Sequence, residues 1–190
     1  MNKALLRTSA LKQRKALTSA LRKTYSESIM ASLFAYLATE KKPSQNLLIY
    51  RSLPSEVATD TLLEHNEYRL FSSVTHHHEH MEWHALSDAT QWQVGLFGIQ
   101  EPTGGLLWDG SQGTTTLLCP LTAFDRQGNR LGMGKGCFDF WLAQHRMHIK
   151  QIIGLAFSCQ EIAQVPFESH DVPMHYVITE KEVIACTKPA

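Results

Sequence analysis

Leu21, Tyr25, Ile29 and Leu33 recur every fourth residue in a stretch that begins after Thr18 and ends before Pro43. That period belongs to an amphipathic helix, and Thr18 carries a side-chain oxygen that can cap it. The pattern predicts a helix over Ser19–Ala38 with these four residues as its core stripe. The preceding "ALLRTSALKQRKAL" has helical composition and predicts a first helix. Farther on the pattern changes. "NLLIY", "YRLFSSV", "TTTLLCPL", "QIIGLAFS" and "HYVIT" are short apolar runs bounded by polar segments, and they read as strands. "ATDTLLEHN" reads as helical. Its place between the first two strands predicts a βαβ unit and a parallel pair. "MEWHAL" alternates, with Met81, Trp83 and Ala85 on one face. "EVIAC" reads as a last edge strand. "CFDFWLAQHRM" spaces Phe138, Trp141 and Leu142 along one face of a helix.

Strands alternating with helices define an α/β protein. The expected architecture is one three-layer αβα domain over residues 1–190, with a mostly parallel central sheet covered on both sides. Ligands of such sheets bind beyond the carboxyl ends of the strands. "TTTLLCPL" reads as a central strand, and a glycine-rich stretch follows it one short turn later.

Composition narrows the partners. The chain is 43% hydrophobic and 19% charged, and its 18 basic residues match its 18 acidic ones. Overall charge therefore points to neither nucleic acid nor membrane. The first 23 residues are basic, with no acid before Glu27. Such a start imitates a mitochondrial targeting peptide, but its leucines read more simply as parts of folded helices. No apolar run reaches the length of a membrane span. Cys119, Cys137, Cys159 and Cys186 form no C-x-x-C pair, which argues against a zinc knuckle or a disulfide framework and for a reducing cytoplasm.

"GNRLGMGKGCFDFW" carries the strongest chemical signal. Gly132, Gly134 and Gly136 alternate with Met133 and Lys135. Alternating glycines let backbone N–H groups converge on an anion, and a helix N-terminus follows at once. Lys135 and Arg130 supply cations. Asp139, in the first helical turn, favours the helix dipole and is also placed to hold Mg²⁺ against phosphates. The spacing fits neither a Walker A loop nor a dinucleotide fingerprint, so a phosphate cradle and a plain flexible turn both stay open. In "THHHEHMEWH", an extended chain would put His76, His78 and His80 on one face, as a zinc site requires. A histidine run in a polar loop also reads as a solvated segment. Glu56 alone reads as an acid before a helix, and Asp171 alone as a turn aspartate.

Taken together, "KALLR", "SEVATDT", "IQEP", "LCPLTAFDRQGNRLGMGKGCFDFWL" and "SHDVPMHYVIT" resemble, in order and over nearly the whole chain, the 5-formyltetrahydrofolate cyclo-ligases. The most specific part is residues 124–139. The resemblance implies a fold akin to sugar-phosphate isomerases and CoA-transferases. It implies ATP- and Mg²⁺-dependent conversion of 5-formyltetrahydrofolate to 5,10-methenyltetrahydrofolate, with ADP and phosphate released. In that reaction the formyl oxygen is phosphorylated, and a neighbouring folate nitrogen then closes the ring. By position, Lys3, Arg7, Arg130, Leu131, Gly132, Met133, Gly134, Lys135, Gly136, Cys137 and Phe138 correspond to the ATP site, with Lys135 and Arg130 as catalytic cations. Arg51 and Glu56 correspond to folate binding, together with residues 133–137. Asp139 and Asp171 correspond to the Mg²⁺-associated acids. The implied protein is a cytoplasmic monomer acting on a small molecule, including its polyglutamylated form. Cys137-Phe138 departs from the family's usual Tyr-Tyr, and the histidine tract is not a family feature. Two other readings share the fold: a non-catalytic folate- or nucleotide-binding protein, and a sugar-phosphate isomerase that works without ATP.

Overall fold

The computed structural model describes residues 2–41, 43–168 and 171–187. Ser169 and His170 of "SHDVPMHYVIT" lie outside the described residues. Helix α1 (Lys3–Ala16) starts where the Asn2 side chain accepts the N–H of Ala4. Helix α2 (Ser19–Ala38) is capped by Thr18, whose oxygen accepts the N–H of Leu21. Both caps satisfy donors that a helix start leaves open. The predicted stripe of α2 is only partly correct. Ile29 and Leu33 are buried, whereas Leu21 is exposed and the buried face is completed by Ser26, Met30 and Leu37. A four-residue interval overshoots the 3.6-residue turn, so the stripe rotates off the contact face over several turns.

The strands are β1 (Asn46–Ile49), β2 (Arg69–His77), β3 (His80–Ala85), β4 (Trp92–Val94), β5 (Gln100–Pro102), β6 (Thr115–Pro120), β7 (Ala123–Phe124), β8 (Arg130–Leu131), β9 (Ile149–Leu155), β10 (Tyr176–Ile178) and β11 (Val183–Ala185). Helix α3 (Cys137–His145) precedes β9. A seven-stranded sheet has the order β11-β10-β9-β6-β1-β2-β3. Strands β10, β9, β6, β1 and β2 run parallel, and β11 and β3 close the two edges antiparallel. The expected parallel pair, central strand and last edge strand are all present.

Alternation splits the strands between two cores. Leu47, Ile49, Leu118 and Ile153 pack with Ile29, Leu33 and Leu37 of α2. Leu48, Leu117, Cys119 and Ile152 pack on the other face with Trp141 and Leu142 of α3, joined by Trp83 and Trp108. Each fully buried large side chain contributes about 1.5–3 kcal/mol. Two expectations need correction. "ATDTLLEHN" forms only a short 3-10 turn, Asp60–Glu64, because residues 50–59 of the crossover run as turns and irregular chain before it. The glycine-rich stretch also does not follow β6 directly: β7 comes first, and the start of the stretch supplies the hairpin turn and β8. No helix among the described residues is long and apolar enough to cross a membrane.

Candidate active site

The turn leaving β6 is the anchor of the site. The carbonyl of Leu121 accepts from Arg14 Nη1 at 3.3 Å and from Gln160 Nε2 at 2.6 Å. The β7–β8 hairpin then forms around buried Asp125. Its Oδ1 accepts the N–H groups of Gln127 and Asn129, and its Oδ2 accepts from Asn129 Nδ2 and from the N–H of Val165. Gly128 closes the turn at φ +90°, where an added Cβ would lie 2.4 Å from the Met174 carbonyl. The first part of the glycine-rich motif is therefore structural.

The second part is open. Gly132, Met133, Gly134 and Lys135 are exposed, and Gly134 has φ +91°. Gly136, at φ +76°, occupies the N-cap of α3 without any side-chain cap. The first N–H groups of a nine-residue helix are thus left for a ligand. Lys135 makes no ion pair among the described residues. Met133 is tethered through its sulfur to the Thr122 hydroxyl at 3.4 Å.

Arg130 is not a loose cation. Its side chain is only 6% exposed, and it pairs with Asp139 while donating Nη1 to the Val172 carbonyl. One guanidinium thereby ties the first turn of α3 to the segment that carries Asp171. Asp171 accepts from Lys3 Nζ at 3.4 Å and from the N–H of Glu168 at 2.9 Å. Asp139 and Asp171 each already face a cation of the chain.

Helix α1 lies across this end of the sheet. Lys3 reaches Asp171, and Arg7 donates Nε to the Gly132 carbonyl at 3.0 Å. Ala10 packs against Ala123 and Leu131. Arg14 reaches the Leu121 carbonyl and the Ser55 hydroxyl. Positions 3, 7, 10 and 14 follow helical spacing, so one face of α1 touches each part of the site in turn. Sequence reading missed Arg14. In the sequence it stands out only as basic charge, although its spacing from Lys3 and Arg7 puts it on the same helix face.

Beyond β1 lies a cleft of about 470 Å³, lined in part by Arg22, Lys23, Ser26, Leu53, Glu56 and Asp60. That volume suits a small-molecule ligand. Glu56 Oε2 accepts the N–H of Leu53 at 2.9 Å, and its Oε1 lies 3.7 Å from Arg14 Nη1. Burial raises the Glu56 carboxyl above its ordinary value, against the opposing pull of the Leu53 N–H and Arg14. Arg51 stands beside the cleft, paired with Asp60 at 2.8 Å and lying 4.9 Å from the centre of the Trp92 ring. Residues 133–137 do not line the cleft; α1 is what links them to it.

Burial also raises the Cys137 thiol above its usual value, with Lys135 pulling the other way. Phe138 packs edge-on to Trp83 and touches both cores. Glu101 of "IQEP" is buried and accepts the N–H of Thr75 at 3.0 Å. It braces β2 and does not line the cleft. The histidine tract is a hairpin. His78 sits in its turn, so the expected face of His76, His78 and His80 does not form.

The model of the 5-formyltetrahydrofolate cyclo-ligase family matches residues 1–180. A 5-formyltetrahydrofolate cyclo-ligase of Haemophilus influenzae is 30% identical over 146 residues, covering 73% of this chain and 78% of its own. One from Mycolicibacterium smegmatis is 28% identical and covers 98% of each chain. The solved structure of Aquifex aeolicus 5,10-methenyltetrahydrofolate synthetase superposes with a TM-score of 0.82 at 28% identity, covering 100% of this chain and 95% of that one. A glycine loop before an uncapped helix, a buried Glu56 and the helix that joins them thus sit on a shared fold, and the chain belongs to the 5-formyltetrahydrofolate cyclo-ligase family.

Proposed function

We propose that this protein converts 5-formyltetrahydrofolate to 5,10-methenyltetrahydrofolate at the expense of ATP, with Mg²⁺. The observation that carries the reading is the course of α1. One face of this helix contacts the open loop through Arg7 and the buried carboxylate of the cleft through Arg14. A phosphate donor on the loop and a heterocycle at Glu56 would share that support.

The residues fit the donor. Exposed glycines at positive φ, the uncapped start of α3 and uncommitted Lys135 make a cradle for a triphosphate. Lys3, Arg7 and residues 130–138 would hold it, with Asp139 and Asp171 toward Mg²⁺. Bound ATP supplies the phosphoryl group that turns the formyl oxygen into a leaving group. Lys135 and the loop N–H groups offset the negative charge that develops during transfer. Arg130 keeps Asp139 oriented and the loop's two ends together. Its charge acts together with that of Asp139.

Glu56 receives the pterin amino group and ring N–H. Its burial makes donated hydrogen bonds valuable, and Arg14 with the Leu53 N–H fixes its direction. Arg51 supports the same side of the cleft. Arg22 and Lys23 on the cleft wall suit the carboxylates of a glutamyl or polyglutamyl tail. Alignment of the two ligands is the main catalytic task, and α1 serves it by joining their sites. We read the chain as a cytoplasmic monomer; its free cysteines agree with a reducing compartment.

The test is a mixture of protein, ATP, Mg²⁺ and 5-formyltetrahydrofolate. A growing near-ultraviolet absorbance from the methenyl product, dependent on ATP, is the expected result. Binding of both ligands without product would favour the non-catalytic reading, which rests on Cys137-Phe138 in place of Tyr-Tyr.

A further inference from the structure

The β2–β3 hairpin lies outside the site described above, yet it gathers the densest set of metal-ligating side chains among the described residues. His77 pairs with His80 and Thr75 pairs with Met81, so His76 is the extra residue of a β-bulge. Continuing the register of residues 71–75 would set His76 opposite His80, on the side away from Met81 and the core. His76 therefore shares the outer face that His80, Glu82 and His84 hold by alternation along β3, and the bulge shifts only the pairing beyond it, to His77–His80. The bulge is braced, because buried Glu101 accepts the N–H of Thr75 immediately before it. Gly95 makes room for that brace, since a Cβ there would lie 2.1 Å from the Glu101 carboxyl carbon.

The result is a converging triad. One ligand atom each from His76, His80 and Glu82 lies within 4.8 Å of the others. His76 Nε2 is 2.9 Å from Glu82 Oε1, and His80 Nε2 is 3.9 Å from Glu82 Oε2. The His76 and His80 rings stand with centroids 4.8 Å apart. In a tetrahedral site with metal–nitrogen bonds of about 2.0 Å, donor atoms sit about 3.3 Å apart. Small side-chain rotations on an exposed surface close that difference. His84 Nε2 contacts Glu82 Oε1 at 3.0 Å, which steadies the carboxylate.

We propose that His76, His80 and Glu82 form a binding site for a borderline divalent transition ion, Zn²⁺ being the fitting example, with water in the open position. Two imidazoles and one carboxylate suit Zn²⁺, Cu²⁺ or Ni²⁺, whereas Mg²⁺ prefers an oxygen shell. The site is separate from the Mg²⁺ expected at the phosphate loop. It pins the bulged edge strand, whose turn touches α3 through the His78–Phe140 ring contact at 5.8 Å.

The experiment titrates the full chain with Zn²⁺ against a chelating dye, and with Co²⁺ as a spectroscopic stand-in. The expected result is one Zn²⁺ per chain, not displaced by excess Mg²⁺. H76A, H80A and E82Q should each weaken binding by about 100-fold, as loss of a ligand does, while H78A leaves it unchanged. Co²⁺ should give a visible tetrahedral or five-coordinate spectrum without a sulfur-to-cobalt charge-transfer band. Wild-type affinity in all three ligand variants would overturn the proposal. So would equal damage from H78A, a cysteine charge-transfer band, or displacement by Mg²⁺.

Discussion

Arg14 Nη1 stands 3.7 Å from Glu56 Oε1, and both side chains are nearly sealed from solvent, at 2% and 8% exposure. Burial drives the two in opposite directions, lowering the guanidinium and raising the carboxyl from their ordinary values. For Glu56 the sign is definite. Between its ordinary value and its raised value, the folded state binds more protons than the unfolded one, so stability falls as pH rises through that window. Removing Arg14 removes one influence that lowers the carboxyl, and the window widens. R14M should lose about 1–3 kcal/mol at neutral pH, the cost of leaving a buried group without its partner. The deficit should shrink toward acid pH and flatten in R14M/E56Q. Urea unfolding over a pH series measures this, and a pH-independent deficit in R14M would contradict it.

Lys135 is exposed and makes no ion pair among the described residues, so its removal leaves no buried partner behind. K135A should therefore melt with the wild type while turnover falls by about 100-fold, the scale of one lost transition-state charge contact. Full activity in the absorbance assay would remove Lys135 from catalysis.

Gly132 and Gly134 offer a controlled comparison. A Cβ at Gly132 meets nothing within 4 Å, and its φ is not in the left-handed region. Gly134 has φ +91°, with only ordinary contact to Arg7. An alanine there relaxes the unliganded loop, and a ligand must pull it back at a cost of about 1–2 kcal/mol. G134A should raise the KM for ATP by about 5- to 30-fold, and G132A should change it little. Equal KM values in the two variants would count against the loop as the cradle.

Much of this organisation was legible in advance. Thr18 fixed the start of α2, and apolar runs marked β1, β6 and β9 because strands buried on both faces need no polar alternation. For the open half of the glycine motif, the alternation marked accessible backbone before a helix, but it left a phosphate cradle and a plain turn both open. What stayed hidden depends on distant contacts. Gly128 looks like its neighbours until the Met174 carbonyl is seen beside it. Glu101 looks like a surface acid until it is found bracing Thr75. The expected histidine face assumes a continuous strand, whereas a turn at residues 78–79 folds the chain back and brings His80 and Glu82 beside His76 instead.

Asp139 faces Arg130, and Asp171 faces Lys3, so neither acid is a bare ligand waiting for metal. D139N removes charge at the start of α3 and should raise the Mg²⁺ concentration needed for half-maximal turnover. It should also loosen Arg130, whose remaining hydrogen bond among the described residues is to the Val172 carbonyl. An Mg²⁺ titration of turnover reads the first effect, and the melting temperature reads the second. An unchanged Mg²⁺ dependence would take Asp139 out of the metal site while leaving its structural pairing intact.

Cys137 begins α3 beside Lys135, which invites the thought of a nucleophilic thiol at the phosphate loop. The physical setting opposes it. Burial pushes the thiol above its ordinary value more than Lys135 pulls it down, so the thiolate needed for attack is scarce at neutral pH. C137A should keep turnover within a few-fold of wild type, and iodoacetamide should alkylate the native protein no faster than a free thiol. An abrupt loss of activity in C137A with unchanged folding would assign this cysteine the chemical role that a hydroxyl at the usual family tyrosine could play. Retention would instead show that the loop's backbone, Lys135 and the α3 N-terminus suffice without it.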